Sequence, residues 1–392
     1  MKLLHLADLH FGKRLFDVSL KDDQEYIVSQ ILALIAEEEP DALLISGDVY
    51  DKAQPSAESV AMFDRFLTSL REFSCEVFIV AGNHDSPARL AYAATLLSSL
   101  RIQIAGRLEG LPPVYTLPDT AGPVHFILLP FFRLHEVKAL WPEETESLNS
   151  YSAALRFVLG KLDLPPGERR VLLSHQHYSG SLDSAQESDS ELDIVGGLDP
   201  IAAEILTGFD YAALGHLHRP QSLGTSQLRY AGSPLAYSFS EIRQTKSVPV
   251  IELGEPGCAA EIRLRELTPL RQVRELKGSL AEVISAARNL PESERQDFLR
   301  VILTDEERLD NPLRRLQAWY PNVLQLQLER DRQTLADQTM SGQSPLEGKG
   351  AIELFTDFYK EQTGLEISVE DKALLDDLWH KMTLETEVEA RG

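Results

Sequence analysis

Glu76-Val77-Phe78-Ile79-Val80-Ala81-Gly82-Asn83-His84-Asp85 is the stretch that decides the fold. Its first half is an apolar run of strand length, rich in β-branched and aromatic residues. Its second half turns at glycine and then sets three polar, chemically capable side chains in a row. A turn explains one such residue, not three directly behind an apolar strand.

The same plan repeats upstream. Lys2–Ala7 reads as a buried strand, and Asp22–Glu38 as a helix with Ile27, Ile31, Leu34 and Ile35 at helical spacing, ended by Pro40. Asp41–Ser46 is a second strand. Ser56–Arg71 is a second helix, with Ser56 as N-cap and Glu58 in its first turn. After the strand Glu76–Val80, the segment Pro87–Ser99 predicts a third helix, opening on proline. This β-α-β-α-β order predicts a mostly parallel sheet covered by helices.

Downstream, strands dominate. Val114–Leu117, Val124–Leu129, Val171–Ser174, Asp210–Leu214, Leu228–Ala231, Val248–Leu253 and Glu261–Glu266 predict a second, mixed sheet packed on the first, with one helix near Tyr151–Leu162. The serine-rich, acidic segment Ser179–Asp193 reads as an exposed loop. After Thr268 the alternation restarts. Arg271–Leu276, Phe298–Thr304 and Val323–Leu328 read as strands, with helices at Gly278–Asn289 and Asn311–Tyr320. Asp331–Gly350 lacks periodicity and reads as a linker. Two amphipathic helices follow, Ala351–Thr363 and Val369–Met382, with Phe355, Phe358 and Trp379 on their apolar faces. The expected organisation is therefore a catalytic domain over 1–268, a small α/β domain over 269–330, a linker over 331–350 and a helical tail over 351–392.

The bulk numbers suit a chain of two or three domains: 392 residues, 43% hydrophobic and 25% charged. The two cysteines, Cys75 and Cys258, exclude a disulfide scaffold and a CxxC metal site, so a reducing cytoplasm fits. No apolar run approaches the ~20 residues that span a bilayer, so no membrane role is expected. The net charge of −23 argues against tight, unaided binding of nucleic acid, although bound divalent cations would reverse the local balance at a site.

Metal-ligand residue types stand at the ends of successive predicted strands: Asp8 and His10, then Asp48, then Asn83, His84 and Asp85, then His175, then His216 and His218. Asp-x-His or Gly-Asp alone is a routine turn or cap. In Gly215-His216-Leu217-His218, alternate histidines on an extended segment point the same way and can reach one centre. Carboxylate, amide oxygen and imidazole together suit Mn²⁺, Fe²⁺ or Zn²⁺, and the oxygen share leans toward Mn²⁺. His175 and His177 are both candidates by period-two logic. His175 is preferred because it directly follows the apolar run and a serine. His5 and His125, inside apolar strands, read as core residues.

This order of motifs resembles the calcineurin-like metallophosphoesterase superfamily, and within it the SbcD-type nuclease subunits. Asp8-Leu-His-Phe-Gly12, Gly82-Asn-His-Asp-Ser-Pro-Ala-Arg-Leu90 and Tyr230-Ala-Gly-Ser-Pro234 carry the narrower likeness. The resemblance implies an α/β, two-sheet metallophosphoesterase sandwich flanked by helices, with a small α/β capping domain and a C-terminal helical tail. It implies two Mn²⁺ per chain, with Mg²⁺ or another divalent ion as substitute. Asp8, His10 and His218 would hold one ion, Asn83, His175 and His216 the other, and Asp48 would bridge them. His84 would protonate the leaving oxygen or stabilise the transition state.

The implied activity is DNA exonuclease and endonuclease cleavage beside an SbcC-like ATPase, in end processing, hairpin cleavage, recombination and repair. The chain would act on double-stranded DNA as a homodimer within a heterotetramer, with its tail docked on the ATPase. The alternative is a small-molecule phosphoesterase acting on cyclic nucleotides or nucleotides, for which the segment after Thr268 has little use. Some relatives carry a second histidine where this chain has Asp51, which leaves phosphate contact there open. Asp85 and Arg89 either orient His84, touch phosphate or form an i,i+4 ion pair. Charge alone gives the 269–330 arginines a solvated surface, since acidic residues there are about as many. Arg314-Arg315 is the best local candidate for contact with DNA phosphate.

Overall fold

A computed structural model describes residues 1–180, 200–307 and 309–329, and in the C-terminal segment 355, 356, 359, 367, 368, 371, 372 and 375. Most of the expected serine-rich loop, the 331–350 linker and most of the two expected tail helices lie outside the described residues. The chain divides into two compact units. One comprises Met1–Leu276, Ala281–Val301 and Asn311–Gln325, and the other Lys277–Leu280, Ile302–Asp310 and Leu326–Gly392.

Two six-stranded sheets form the body of the first unit. In the first, Lys2–Leu6, Ala42–Ser46, Glu76–Val80 and Ile102–Ala105 run parallel. Ser247–Glu252 pairs antiparallel with Lys2–Leu6, and Glu261–Glu266 closes that edge. In the second sheet, Gly122–Leu129, Arg169–His175, Tyr211–Gly215 and Thr225–Tyr230 run parallel. Val114–Asp119 and Gln221–Leu223 pair antiparallel at its two edges.

Side-chain alternation explains the layering. Leu3, Leu44, Phe78 and Val80 of the first sheet join Phe126, Leu128, Val171, Leu173 and Ala213 of the second in one buried layer. Phe78 and Phe126 stack at 4.5 Å in that layer. Leu4, Leu6, Leu43, Ile45 and Ile79 point the other way, onto the helices Lys21–Glu38 and Ala57–Leu70. Ile127, Leu172, Ala212 and Leu214 do the same on the far side of the second sheet, where helix Tyr151–Gly160 packs. Ile27, Ile31, Leu34 and Ile35 are all buried, as their spacing predicts, and Ser56 caps its helix by accepting from Ser59 N at 3.1 Å.

Three expectations need correction. The sequence pattern puts Val248–Leu253 and Glu261–Glu266 in the second sheet, but their strands extend the first. Val248 and Val250 face the helix layer and Ile251 faces the inter-sheet layer. A strand buried on both faces carries no mark of its partner. The single helix expected over Pro87–Ser99 is two short ones, Pro87–Leu90 and Ala94–Ser98, broken at Ala93, whose φ is +61°. The strand Ile102–Ala105 and the helix Leu134–Leu140 lie outside the elements that the sequence predicts.

Further along, Val273–Gly278, Phe298–Leu303 and Val323–Leu328 form a three-stranded sheet with Phe298–Leu303 central. Helices Leu280–Ala287 and Pro312–Gln317 lie between these strands in sequence.

Candidate metal centre

The carboxyl ends of parallel strands from both sheets carry the candidate ligands, as the general rule for open α/β sheets leads one to expect. Beyond strands Lys2–Leu6 and Ala42–Ser46 the two loops continue side by side. Asp8 N donates to Gly47 O at 3.1 Å, His10 N to Asp48 O at 2.9 Å and Phe11 N to Val49 O at 2.8 Å. The second sheet meets this edge closely. Ser46 Oγ donates to Ala213 O at 2.9 Å, and His175 Nδ1 donates to Ser46 O at 2.7 Å. Gly215 makes the approach possible, because an added Cβ there would fall on the Ser46 carbonyl oxygen.

Asp48 is the hub. Its Oδ2 lies 3.3 Å from His175 Nε2, 3.6 Å from His10 Nε2 and 4.0 Å from His84 Nε2, while its Oδ1 accepts from His84 N at 2.9 Å. On one side, His10 Nε2 and His218 Nε2 face each other at 3.1 Å, and both belong with Asp8 to one group of closely spaced donor atoms. On the other side, Asn83 Oδ1 lies 3.1 Å from both His175 Nε2 and His216 Nδ1. Asp8 Oδ1 accepts from His216 N at 3.0 Å and so ties the two sides together. All seven candidate ligands are thus brought together, and the side chains of Asp8 and Asp48 are 3% exposed or less.

Such a cluster is electrostatically unbalanced without a cation. Burial pushes the Asp8 carboxyl up to about 7. Burial also acts to raise Asp48, but the neighbouring imidazoles of His175, His84 and His10 outweigh it and hold the carboxyl well below its usual range. Burial acts to lower His175, and Asp48 and Asp8 carry it instead to about 9. Burial holds His10 and His216 well below the ordinary imidazole value. Buried carboxylates facing imidazole nitrogens are what two divalent cations would satisfy, so the donor set fits them. The His175 Nδ1–H bond to Ser46 O leaves Nε2 as the donor atom toward Asp48 and Asn83.

His84 is 30% exposed at its side chain and is oriented through Nδ1, which lies 2.9 Å from Asp51 O. Asp85 does not pair with Arg89. Its buried carboxylate accepts from Tyr50 N at 2.9 Å, Gly82 N at 2.9 Å and Val49 N at 3.2 Å, stitching the Asp48 loop to the Asn83 loop. Burial, then the charge of Asp48, pushes it up to about 6. Arg89 Nη1 donates to Ala53 O at 3.2 Å. The Asp51 carboxylate lies 2.8 Å from Lys13 Nζ and 3.7 Å from His10 Nδ1. The His177 ring lies 5.8 Å from that of His216, while His175 holds the position at Asp48. His5 is buried against Tyr211, and His125 against Thr116 and Glu168, as core residues are. Arg314 and Arg315 are exposed on a short helix, and no described contact joins them to the cluster.

Residues that spacing could not single out complete the site. Gln24 donates to His10 O at 2.7 Å and accepts from Gly12 N at 3.0 Å, clamping the first loop. Tyr237 donates to Leu9 O at 2.6 Å, with its ring 5.5 Å from those of His10 and His218. Glu241 and Lys246 stand behind His218.

A family model described as calcineurin-like phosphoesterase matches residues 1–220, more than half of the chain. The chain belongs to that family. As a calcineurin-like phosphoesterase it is a phosphodiester hydrolase, and the Asp and His clusters at its strand ends suit a dimetal site. A second model, described as type 5 capsule protein repressor C-terminal domain, matches residues 269–363. Relatives named as the SbcD component of the nuclease SbcCD resemble it over most of their length. The one from Staphylococcus epidermidis is 29% identical over 328 residues, covering 83% of this chain and 85% of the relative. The one from Staphylococcus saprophyticus subsp. saprophyticus is 29% identical over 327 residues, covering 83% and 84%. A solved dimetal phosphatase from Danio rerio is 11% identical with a TM-score of 0.34, covering 67% of this chain and 98% of that one. Among the described residues no helix is long and apolar enough to cross a membrane.

Proposed function

We propose that this calcineurin-like phosphoesterase is a Mn²⁺-dependent DNA nuclease subunit, with exonuclease and endonuclease activity, that works with an SbcC-like ATPase in end processing, hairpin cleavage, recombination and repair. The observation that carries the reading is the convergence of two donor groups on one carboxylate, Asp48, in a chain alike to nuclease subunits over more than four fifths of its length.

In this reading Asp8, His10 and His218 hold one ion, Asn83, His175 and His216 hold the other, and Asp48 is shared. When bound, two such ions polarise the phosphodiester and make water a better nucleophile. The chain's own groups do the rest. His84, oriented through Nδ1 by the Asp51 carbonyl, turns Nε2 toward the cluster and serves as proton donor to the leaving oxygen. Imidazole is the side chain suited to that exchange near neutral pH. Asp85 keeps the Asp48 and Asn83 loops in register while charge develops at phosphorus.

The segment 269–330 is assigned to capping and to DNA contact, with Arg314 and Arg315 as phosphate contacts. The 351–392 tail, tethered by 331–350, is assigned to docking on the ATPase, and two nuclease chains would meet in a heterotetramer. A reducing cytoplasm is the compartment this reading implies, with Cys75 and Cys258 as free thiols.

The test is incubation of the purified full chain with Mn²⁺ and duplex DNA, alone and beside the ATPase, with cyclic nucleotides in parallel. Cleavage of DNA is expected. Turnover of cyclic nucleotides with intact DNA in every arm would leave the small-molecule phosphoesterase standing instead.

A further inference from the structure

Behind His218 lies a buried polar group that the reaction scheme does not use. Glu241, at the end of the short turn Phe239–Glu241, is fully buried, as is Ser233, and Lys246 is 6% exposed. Glu241 Oε1 lies 3.4 Å from His218 Nδ1. Its Oε2 accepts from Lys246 Nζ at 2.6 Å. The same ammonium lies 2.8 Å from the backbone oxygen of His218, 2.9 Å from Ser233 Oγ and 2.9 Å from Gln244 Oε1, so its three N–H groups are shared among four acceptors. Ser238 Oγ donates to Glu241 Oε1 at 3.2 Å.

A buried ion pair is weak evidence of stability, since apolar residues of similar volume often serve a fold as well. Its geometry gives it another use. A neutral imidazole carries one N–H and one lone pair, and an ionised carboxylate only accepts. The nitrogen facing Glu241 must therefore bear the hydrogen. That leaves the lone pair on Nε2, the atom that faces His10 Nε2 and lies in the same donor group as Asp8. Lys246 pairs with Glu241 and holds the backbone of His218 as well, so ring and main chain are fixed from one anchor.

We propose that Glu241, held by Lys246, is a positioning residue for the metal centre: it takes the Nδ1–H of His218 and so presents Nε2 to a divalent cation. This rests on the assignment of His218 as a ligand made above.

Two variants of the full chain test it, E241Q and the double variant E241M/K246M, which removes both charges together and leaves neither one buried alone. Mn²⁺ is titrated calorimetrically into the chelator-stripped proteins, and the tautomer of His218 is read in the same metal-free proteins by imidazole ¹⁵N NMR. The wild type is expected to show the Nδ1–H form. E241M/K246M should bind one equivalent of Mn²⁺ about 10–100-fold more weakly and lose that tautomer preference. E241Q, whose amide oxygen still accepts a hydrogen bond, should lose less affinity but measurably some. Wild-type affinity together with an unchanged tautomer overturns the proposal, even if thermal stability falls, and E241Q alone decides by the same readouts should the double variant not fold. Neither readout involves DNA. A chain that titrates as expected yet leaves DNA intact sinks the nuclease reading and spares this one, whereas cleaved DNA with unaltered Mn²⁺ affinity in the variants does the reverse.

Discussion

Asp8, His10 and Asp48 hold φ values of +53°, +45° and +49°, and His216 holds +110°, so four candidate ligands occupy backbone conformations that L-residues seldom adopt. Each costs on the order of 1–3 kcal/mol and persists only where the surroundings over-determine it. Gln24, Tyr237 and the paired loop hydrogen bonds supply that constraint. His84 is different: it is oriented by one carbonyl and is partly exposed, as a group that meets substrate should be. His84→Ala is expected to lower DNA cleavage roughly 10²–10⁴-fold while Mn²⁺ titration is unchanged. Asp8 supplies a pH prediction. Its folded-state value is raised to about 7 by burial, so below that pH the metal-free protein carries a proton that a cation must displace. Metal affinity should therefore rise with pH, up to about tenfold per unit for each proton displaced, and level off only above about 9, because His175 must also give up its Nε2 proton, with proton release visible by calorimetry in buffers of different ionisation enthalpy.

At the scale of elements, the centre depends on how closely two sheet edges approach. Gly215→Ala puts a methyl group onto the Ser46 carbonyl oxygen, and the strand Tyr211–Gly215 must shift with His216 and His218 attached. Overpacking of this kind costs about 1–3 kcal/mol, to be read as a lower urea midpoint with unchanged slope, and Mn²⁺ binding should weaken in the same protein. At the other end of the second sheet, the buried Arg169 guanidinium donates to Asp119 Oδ2 at 2.9 Å and to the carbonyls of Gly254 and Gly122. Arg169 holds the Asp119 carboxyl well below its ordinary value. A carboxylate depressed in the folded state contributes stability above its unfolded pKa of ~3.9 and loses that contribution as pH falls through the lower folded value. Asp119→Asn should be less stable than the wild type at pH 7, with the gap narrowing as denaturation is followed from pH ~4 downward. Elements of this kind are legible where periodicity is local, as in Lys21–Glu38. They are not legible where the backbone departs from the local pattern, as at Ala93 with its φ of +61°.

For the whole molecule, charge and site pull in opposite directions. The chain carries a net charge of −23, yet its proposed substrate is a polyanion. Two divalent cations would change the balance only locally, so under the proposed function affinity for duplex DNA comes largely from the partner ATPase. The metal-loaded chain alone is expected to bind duplex DNA no more tightly than ~10⁻⁶ M at physiological salt, which is the non-specific range. Fluorescence anisotropy with and without the ATPase measures this, and sub-micromolar binding by the chain alone would contradict it.

Residue types at strand ends, helix caps and apolar runs were properties of the sequence by itself, because each depends on neighbours within a few positions. They put Asp8, His10, Asp48, Asn83, His84, Asp85, His175, His216 and His218 at predicted strand ends and foresaw two packed sheets, while the family resemblance separated the seven candidate ligands from His84. Only the tertiary structure decided that Ser247–Glu252 joins the first sheet, that Asp85 bonds three backbone N–H groups rather than Arg89, and that Glu241 and Lys246 stand behind His218. Those facts depend on which distant strands pair and how closely two sheets meet, and local propensity carries no record of either.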